Sequence, residues 1–197
     1  MTISMADWLK RFLPENCPPR ASLALARFAA EAKMNRGGFA ISSAAFENGG
    51  ELDPSFTAEE EDAVAPPMEW TAPPPGTQEL VLVVEDASTD PPDCHWLVWG
   101  LPGQRAKLLE GEAPPRTGKN ARGNSDWLLP ALTEEGRSHW YVFQLFALDL
   151  PLTLMPGASK DELFAEIDGH VIAATVTTAS FRPTAEEDWV EDDFEEP

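Results

Sequence analysis

An aspartate and a histidine in the stretch VLVVEDASTDPPDCHWLVWGLP, residues 81–102, have the side chains to do chemistry. Val81–Val84 and His95–Trp99 carry the β-branched and aromatic content of strands. Prolines and acids make Asp86–Cys94 the loop between them. Asp86 and His95 therefore stand at the two mouths of one strand-loop-strand unit, where a polar residue either solvates a strand end or lines a site. A carboxylate there can orient an imidazole or accept from an ammonium, and imidazole N–H groups donate to an oxyanion. Ser88 lies between them, but a serine, an acid and a histidine within one loop do not make a relayed nucleophile. Asp86, His95 and His139 lack the tight HxH or ExxH spacing of a metal site. No catalytic residue, metal or cofactor is assigned, and the chain is not expected to be an enzyme. Cys94 fits an inert buried thiol better than a redox group.

The elements that must position these residues fall into three parts. Residues 1–36 are expected to form a helical extension. Ser4 and Asp7 suit a capping box, and Met5, Trp8, Leu9, Phe12 and Leu13 follow on one helical face. Pro14, Pro18 and Pro19 end that helix, and the alanine-rich stretch from Ala21 to Met34 reads as a second one. The apolar stripe should pack on the body or on a second copy of the chain, giving a homodimer in the latter case. Residues 37–183 form the body, with short apolar runs separated by glycine and proline turns. These include FAISS, LVLVVED, HWLVWGLP, WYVFQLFALD and VIAATVTTASF, and they predict a mostly β sandwich. One body helix is expected, capped by Ser159, led by Asp161 and Glu162, carrying Leu163, Phe164 and Ile167, and closed by Gly169. His170 sits just beyond it, where a cation favours a helix C-terminus. Residues 184–197 read as a disordered acidic tail.

The order of five segments in the body is distinctive. GGFAISSAAFENGGELDPSF, APPMEWTAPPPGTQELVLVVEDAS, CHWLVWGLP, HWYVFQLFALD and GHVIAATVTTASFRP together resemble the phosphatidylethanolamine-binding protein family, in its bacterial Raf-kinase-inhibitor-like (YbhB/YbcL) branch. The resemblance covers about residues 37–183. It implies a sandwich of two antiparallel sheets with a small pocket at one end that binds phosphate or a phosphoethanolamine headgroup. Carried over residue by residue, Asp86 matches the family's pocket aspartate and His95 the histidine opening the next strand. His139, Trp140 and Tyr141 match its H-R-Y segment, and Trp127–Ala131, with Pro130, its G-P-x-P-P segment. Trp70 is expected as an apolar pocket wall, with Trp96 and Trp140 beside it. The expected ligand site is thus Asp86, His95, His139, Tyr141, Trp70 and Pro130. The sequence departs from the family where Trp140 replaces the arginine and where the glycine-proline turn is lost.

Composition limits the partners. The formal charge of −20 argues against nucleic acid, whose phosphates need clustered Lys and Arg. No apolar run approaches the roughly 18 residues of a transmembrane helix, the head is a poor secretory signal, and two cysteines build no disulfide framework. A cytoplasmic location is expected. The charge is uneven: residues 184–197 hold eight acids and no base, while residues 1–36 hold six bases and three acids. The function expected is non-catalytic binding of a small phosphate-containing ligand or phospholipid headgroup, with a protein partner modulated through it. The alternative is an interaction protein with a degenerate pocket, its contacts made by the N-terminal helices and the acidic tail.

Overall fold

A computed structural model describes residues 7–131 and 137–183. Among them nine strands form two sheets. A small sheet has the order β1 (Ile41–Ser42), β3 (Met68–Trp70), β6 (Ala106–Leu108). The large sheet runs β2 (Gly50–Glu51), β9 (Val171–Phe181), β8 (His139–Leu148), β4 (Glu79–Asp86), β5 (Asp93–Pro102), β7 (Arg116–Thr117). Every pairing is antiparallel except β2 with β9. The mostly β, two-sheet sandwich expected from the sequence is the fold observed.

Strand β4 is buried at every position, which no one-sided sheet would require. Its side chains alternate between two cores. Leu80, Leu82 and Val84 face the small sheet, in a cluster with Phe39, Trp70 and Phe143. Val81 and Val83 face the other way and join Leu97, Trp99, Val142 and Phe146. That second face is covered by residues 7–36 and by helix α2 (Lys160–Ile167), through Leu9, Leu13, Leu23–Ala26, Leu163, Phe164 and Ile167.

The N-terminal segment therefore packs on its own body, and its form differs from the two helices expected. Leu9–Arg11 is one 3-10 turn, and the second helix shrinks to α1 (Ala24–Phe28), followed by a 3-10 turn at Glu31–Lys33. Backbone bonding to the sheet explains the shortening. Met34 bridges Ala174 in parallel, and Asn35 N–H donates to Ala174 O, so the chain leaves the helix to run along β9. Ser4, Met5 and the tail from residue 184 lie outside the described residues. Helix α2 is as expected: Ser159 and Glu162 form a reciprocal capping box.

A buried polar network ties these layers together. Glu85, fully buried on β4, accepts the Ala24 N–H (2.8 Å) and a Gln144 Nε2 donor (2.9 Å) on one oxygen. Gln144 Oε1 accepts the Leu25 N–H at 2.7 Å. Lys160 Nζ stands 2.9 Å from Glu85 Oε1, an ion pair whose angle falls short of a directed hydrogen bond. One carboxylate thus joins the sheet, the start of α1 and the start of α2.

Uncovering Val81, Val83, Val142 and Phe146 would cost about 1.5–3 kcal/mol each. That sum is comparable with the ~5–15 kcal/mol stability of a whole domain. A chain starting at Gly37 is accordingly expected to fail to fold, judged by loss of amide dispersion in NMR spectra. Glu85→Ala, which leaves Lys160 and two N–H groups unpartnered, should lower the urea-unfolding free energy by about 3–5 kcal/mol. A loss under about 1 kcal/mol would show that Glu85 is dispensable.

Candidate functional site

Alternation along β4 and β8 sends Asp86, His139 and Tyr141 to the inter-sheet side of the large sheet, with Asp86 and Tyr141 directly opposite each other. His95 would not join them by alternation. Between Val84↔Trp96 and Glu85↔Cys94 the register slips, and His95 is the surplus residue of a β-bulge. The bulge lets His95 and Trp96 face the same side, and His95 comes to rest edge-on to Tyr141 with ring centroids 4.9 Å apart.

Asp86 is the anchor. It is buried, its Oδ2 accepts from His139 Nδ1 at 2.6 Å, and its Oδ1 accepts the Ser88 N–H at 2.8 Å. The His139 side chain is the more open partner, at 22% exposure. His95 Nδ1 lies 2.7 Å from the carbonyl oxygen of Leu128. A carbonyl only accepts, so Nδ1 carries the proton and the neutral ring presents Nε2 as an acceptor. Neither His95 Nε2 nor the Tyr141 hydroxyl bonds to any described residue.

Burial is the main cause that holds the His95 pKa below its ordinary 6.5; the Leu128 bond and the charges of Asp86 and Asp93 push the other way. Burial, followed by the same two carboxylates, raises the Tyr141 phenol and keeps it protonated as a donor. At neutral pH the site therefore combines a carboxylate–imidazole pair, a neutral imidazole acceptor and a phenolic donor. Among the described residues no group of three or more His, Cys, Asp or Glu side chains is placed to hold a metal.

Of the other expected site residues, Trp70 lies elsewhere. Trp70 is on the small sheet opposite Ile41 and Ala106; its indole donates to Gln104 O, and it lines a separate concavity with Glu69, Arg105 and Lys107. It packs in the inter-sheet core because β3 has one face to bury, not because it walls the histidines. Pro130 is buried, and its carbonyl accepts the Ala58 N–H. Trp96 is core, and Trp140 faces the opposite side of the sheet with the apolar cluster under the N-terminal segment. His170 pairs with exposed Asp149 at 2.9 Å. The Ser88 hydroxyl is engaged by the Trp140 N–H at 3.0 Å.

The sequence marks Trp127 only through its place in the segment matching G-P-x-P-P, and it does not mark Asp93, Arg20 or Cys17 as contributors. Trp127 stacks on Phe143 with its ring 6.2 Å from that of His95, and its indole donates to Phe56 O. It forms the wall beside His95 where the family has its glycine-proline turn. Asp93, opposite Asp86, adds a second charge near His95. Arg20, in the N-terminal segment, donates from Nε to Ala87 O at 2.9 Å and reaches Asp90 Oδ2 with Nη1 at 3.3 Å, clamping the Asp86 loop from below. Cys17 is also near; burial and then the Asp86 charge raise its thiol to about 12. A long-range contact such as Arg20 to Ala87 leaves no local pattern, though an arginine between two prolines and a helix was available as a hint.

Fold and site together define the class: an antiparallel β-sandwich whose adjoining strand ends carry a carboxylate, two imidazoles and a phenol. The sequence model of the family described as Phosphatidylethanolamine-binding protein matches residues 42–182, and the chain belongs to that family. It is 29% identical over 148 residues to a UPF0098 protein of Methanothermobacter thermautotrophicus, covering 70% of this chain and 95% of that one. It is 31% identical over 127 residues to a putative lipoprotein, LppC, of Mycobacterium tuberculosis, covering 60% of each. The crystal structure of a putative phosphatidylethanolamine-binding protein homolog, CT736, from Chlamydia trachomatis superposes with a TM-score of 0.69 at 26% identity, over 74% of this chain and 98% of that one. Escherichia coli YbcL, at 20% identity and a TM-score of 0.65 over 74% and 99%, shares the fold. The family match begins at residue 42, so the segment that clamps the site loop lies outside it. No helix among the described residues is long and apolar enough to cross a membrane.

Two outcomes test this geometry. Because folded His95 takes up its proton at lower pH than the unfolded ring, its contribution to stability is full above about pH 6.5 and is lost as pH falls below it. Urea midpoints should therefore fall less steeply for His95→Gln than for wild type between about pH 7.5 and about pH 5.5; parallel curves would remove the claim that His95 is buried neutral. Arg20→Ala should shift and broaden the amide signals of residues 87–90 and move the His139 ring signals, while the β8–β9 amides stay in place. Unchanged His139 ring signals would mean that the clamp does not set the Asp86–His139 pair.

Proposed function

We propose that this protein is a non-catalytic receptor for a small phosphate-bearing headgroup of the phosphoethanolamine type, bound at Asp86, His95, His139 and Tyr141. One observation carries the reading: His139 is held at 2.6 Å by a buried aspartate on the face that also bears His95 and Tyr141. Asp86 fixes the His139 ring through Nδ1, which leaves Nε2 to bond a phosphate oxygen. Tyr141 donates a second bond. His95 accepts from a protonated phosphate oxygen or, once protonated, donates to a bare one; either way binding takes up a proton. The two carboxylates, Asp86 and Asp93, suit the ammonium of a zwitterion better than a ligand of net charge −2. No step needs a nucleophile, and the Ser88 hydroxyl already serves the backbone of Trp140.

A cytoplasmic location and modulation of a protein partner belong to the same reading. Two unbridged cysteines support the first, and the resemblance to Raf-kinase-inhibitor-like proteins supports the second.

Titration with O-phosphoethanolamine, followed by imidazole NMR signals, should shift His95 and His139 but not His170. Affinity should rise as the pH is lowered from about 8 to about 6, because binding consumes a proton. His95→Ala should weaken binding about tenfold or more, the worth of one charge-assisted bond. Flat titrations into the tens of millimolar would end this reading in favour of an interaction protein with a closed pocket.

A further inference from the structure

The ends of β8 and β9 present two different faces. His139 and Tyr141 point to the inter-sheet side, whereas Ser138 and Trp140 alternate to the side covered by the N-terminal segment. On that side Trp140 lies opposite Ser180, and Ser180 opposite Glu51, so three strands set one row of side chains into the floor. Just beyond it Arg182 donates from Nε to the Ser138 hydroxyl at 3.0 Å. Asn16 and Pro18 of the N-terminal segment and Ser88 of the site loop form the walls, and Arg137 stands at the rim of a cleft of about 690 Å³.

We propose that this cleft is a second binding site, for a small oxyanion held by Arg182 and Arg137 above the Trp140 indole. The bond from Nε to Ser138 fixes the plane of the Arg182 guanidinium and leaves its two terminal nitrogens to meet a carboxylate or phosphate end-on. Two guanidiniums lining one cleft run against a chain with 34 acids and 14 bases, in which most of the surface repels anions. The hydroxyls of Ser88 and Ser138, which accept from Trp140 N–H and Arg182 Nε, keep their own hydrogens as further donors, and Glu51 at the far rim accepts from a hydroxyl or ammonium on the same ligand. The floor residues Trp140, Ser180 and Glu51 are on strands, and Ser138 and Arg182 directly adjoin the ends of β8 and β9. The site stands back to back with the His95–His139 site, with β8 between them, and it does not depend on that site binding anything. Its walls include residues 16 and 18, outside the stretch that matches the family.

Inorganic phosphate and acetate, titrated separately into the full chain at constant ionic strength, test the assignment. The probes are the Trp140 indole N–H, the Arg182 Nε–H and the His95 and His139 rings. At least one anion should move the Trp140 and Arg182 signals with its own affinity, and which one does so separates tetrahedral from carboxylate recognition. Arg137→Gln with Arg182→Gln should weaken that response about tenfold or more and leave the histidine response unchanged. His139→Ala should do the reverse. If the double variant misfolds, Arg182→Lys serves instead: it keeps the charge, loses the fork, and should weaken the response severalfold. The proposal fails if neither anion moves the Trp140 and Arg182 signals, or if chloride moves them equally. It also fails if they follow the histidines with one affinity and vanish in His139→Ala, or if the arginine variants bind as wild type does.

Discussion

The Glu85 carboxylate is the constraint on which the architecture rests. A buried charge is costly unless it is paired and bonded, and this one is satisfied only if three separate pieces of chain arrive together: the Gln144 amide, the Ala24 N–H and the Lys160 ammonium. The carboxylate contributes less as net stability than as an address. A compact alternative that swung the N-terminal segment away, or slid β4 against β8, would strand the charge in an apolar layer. The next residue along β4 is Asp86, on the other face. Glu85 fixes the strand end from the side of the N-terminal segment, and Asp86 thereby gains a fixed position from which to hold His139.

The support for the site therefore comes largely from the face opposite it. Arg20 grips the loop after Asp86, Ser88 caps the Trp140 amide, and Trp140 itself packs under the N-terminal segment. In this chain Trp140 stands where the family has an arginine, and the apolar indole suits the covered face. The glycine-proline turn has become Trp127-Leu128, which supplies a wall and a carbonyl in its place. The departures noted in the sequence thus alter which groups build the site while Asp86, His95, His139 and Tyr141 still share one face.

How much of this was legible in the sequence follows from how local each signal is. The long strands and α2 were readable because composition, turn residues and the Ser159–Glu162 box sit within a few residues of the element they specify. The N-terminal segment misled because an apolar stripe and alanine-rich composition announce helix and burial but not the backbone pairing to Ala174 that ends the helix. Asp86, His139 and Tyr141 were found through segment order, and strand alternation then brought them together. His95 reached them by a bulge, and no pattern in DCHWLVW declares one surplus residue. Trp70 went astray because an indole on a short strand looks the same whether it lines a hollow or fills a core.

The carbonyl of Leu128 has one more consequence. By holding hydrogen on one nitrogen of the His95 ring it leaves a lone pair on the other, and a lone pair repels an oxyanion that brings no hydrogen of its own. Sulfate is bare at neutral pH, whereas phosphate still carries hydrogen on a share of its molecules. On the proposed reading, that main-chain oxygen makes sulfate wait for a proton on the ring, whereas phosphate can bring its own.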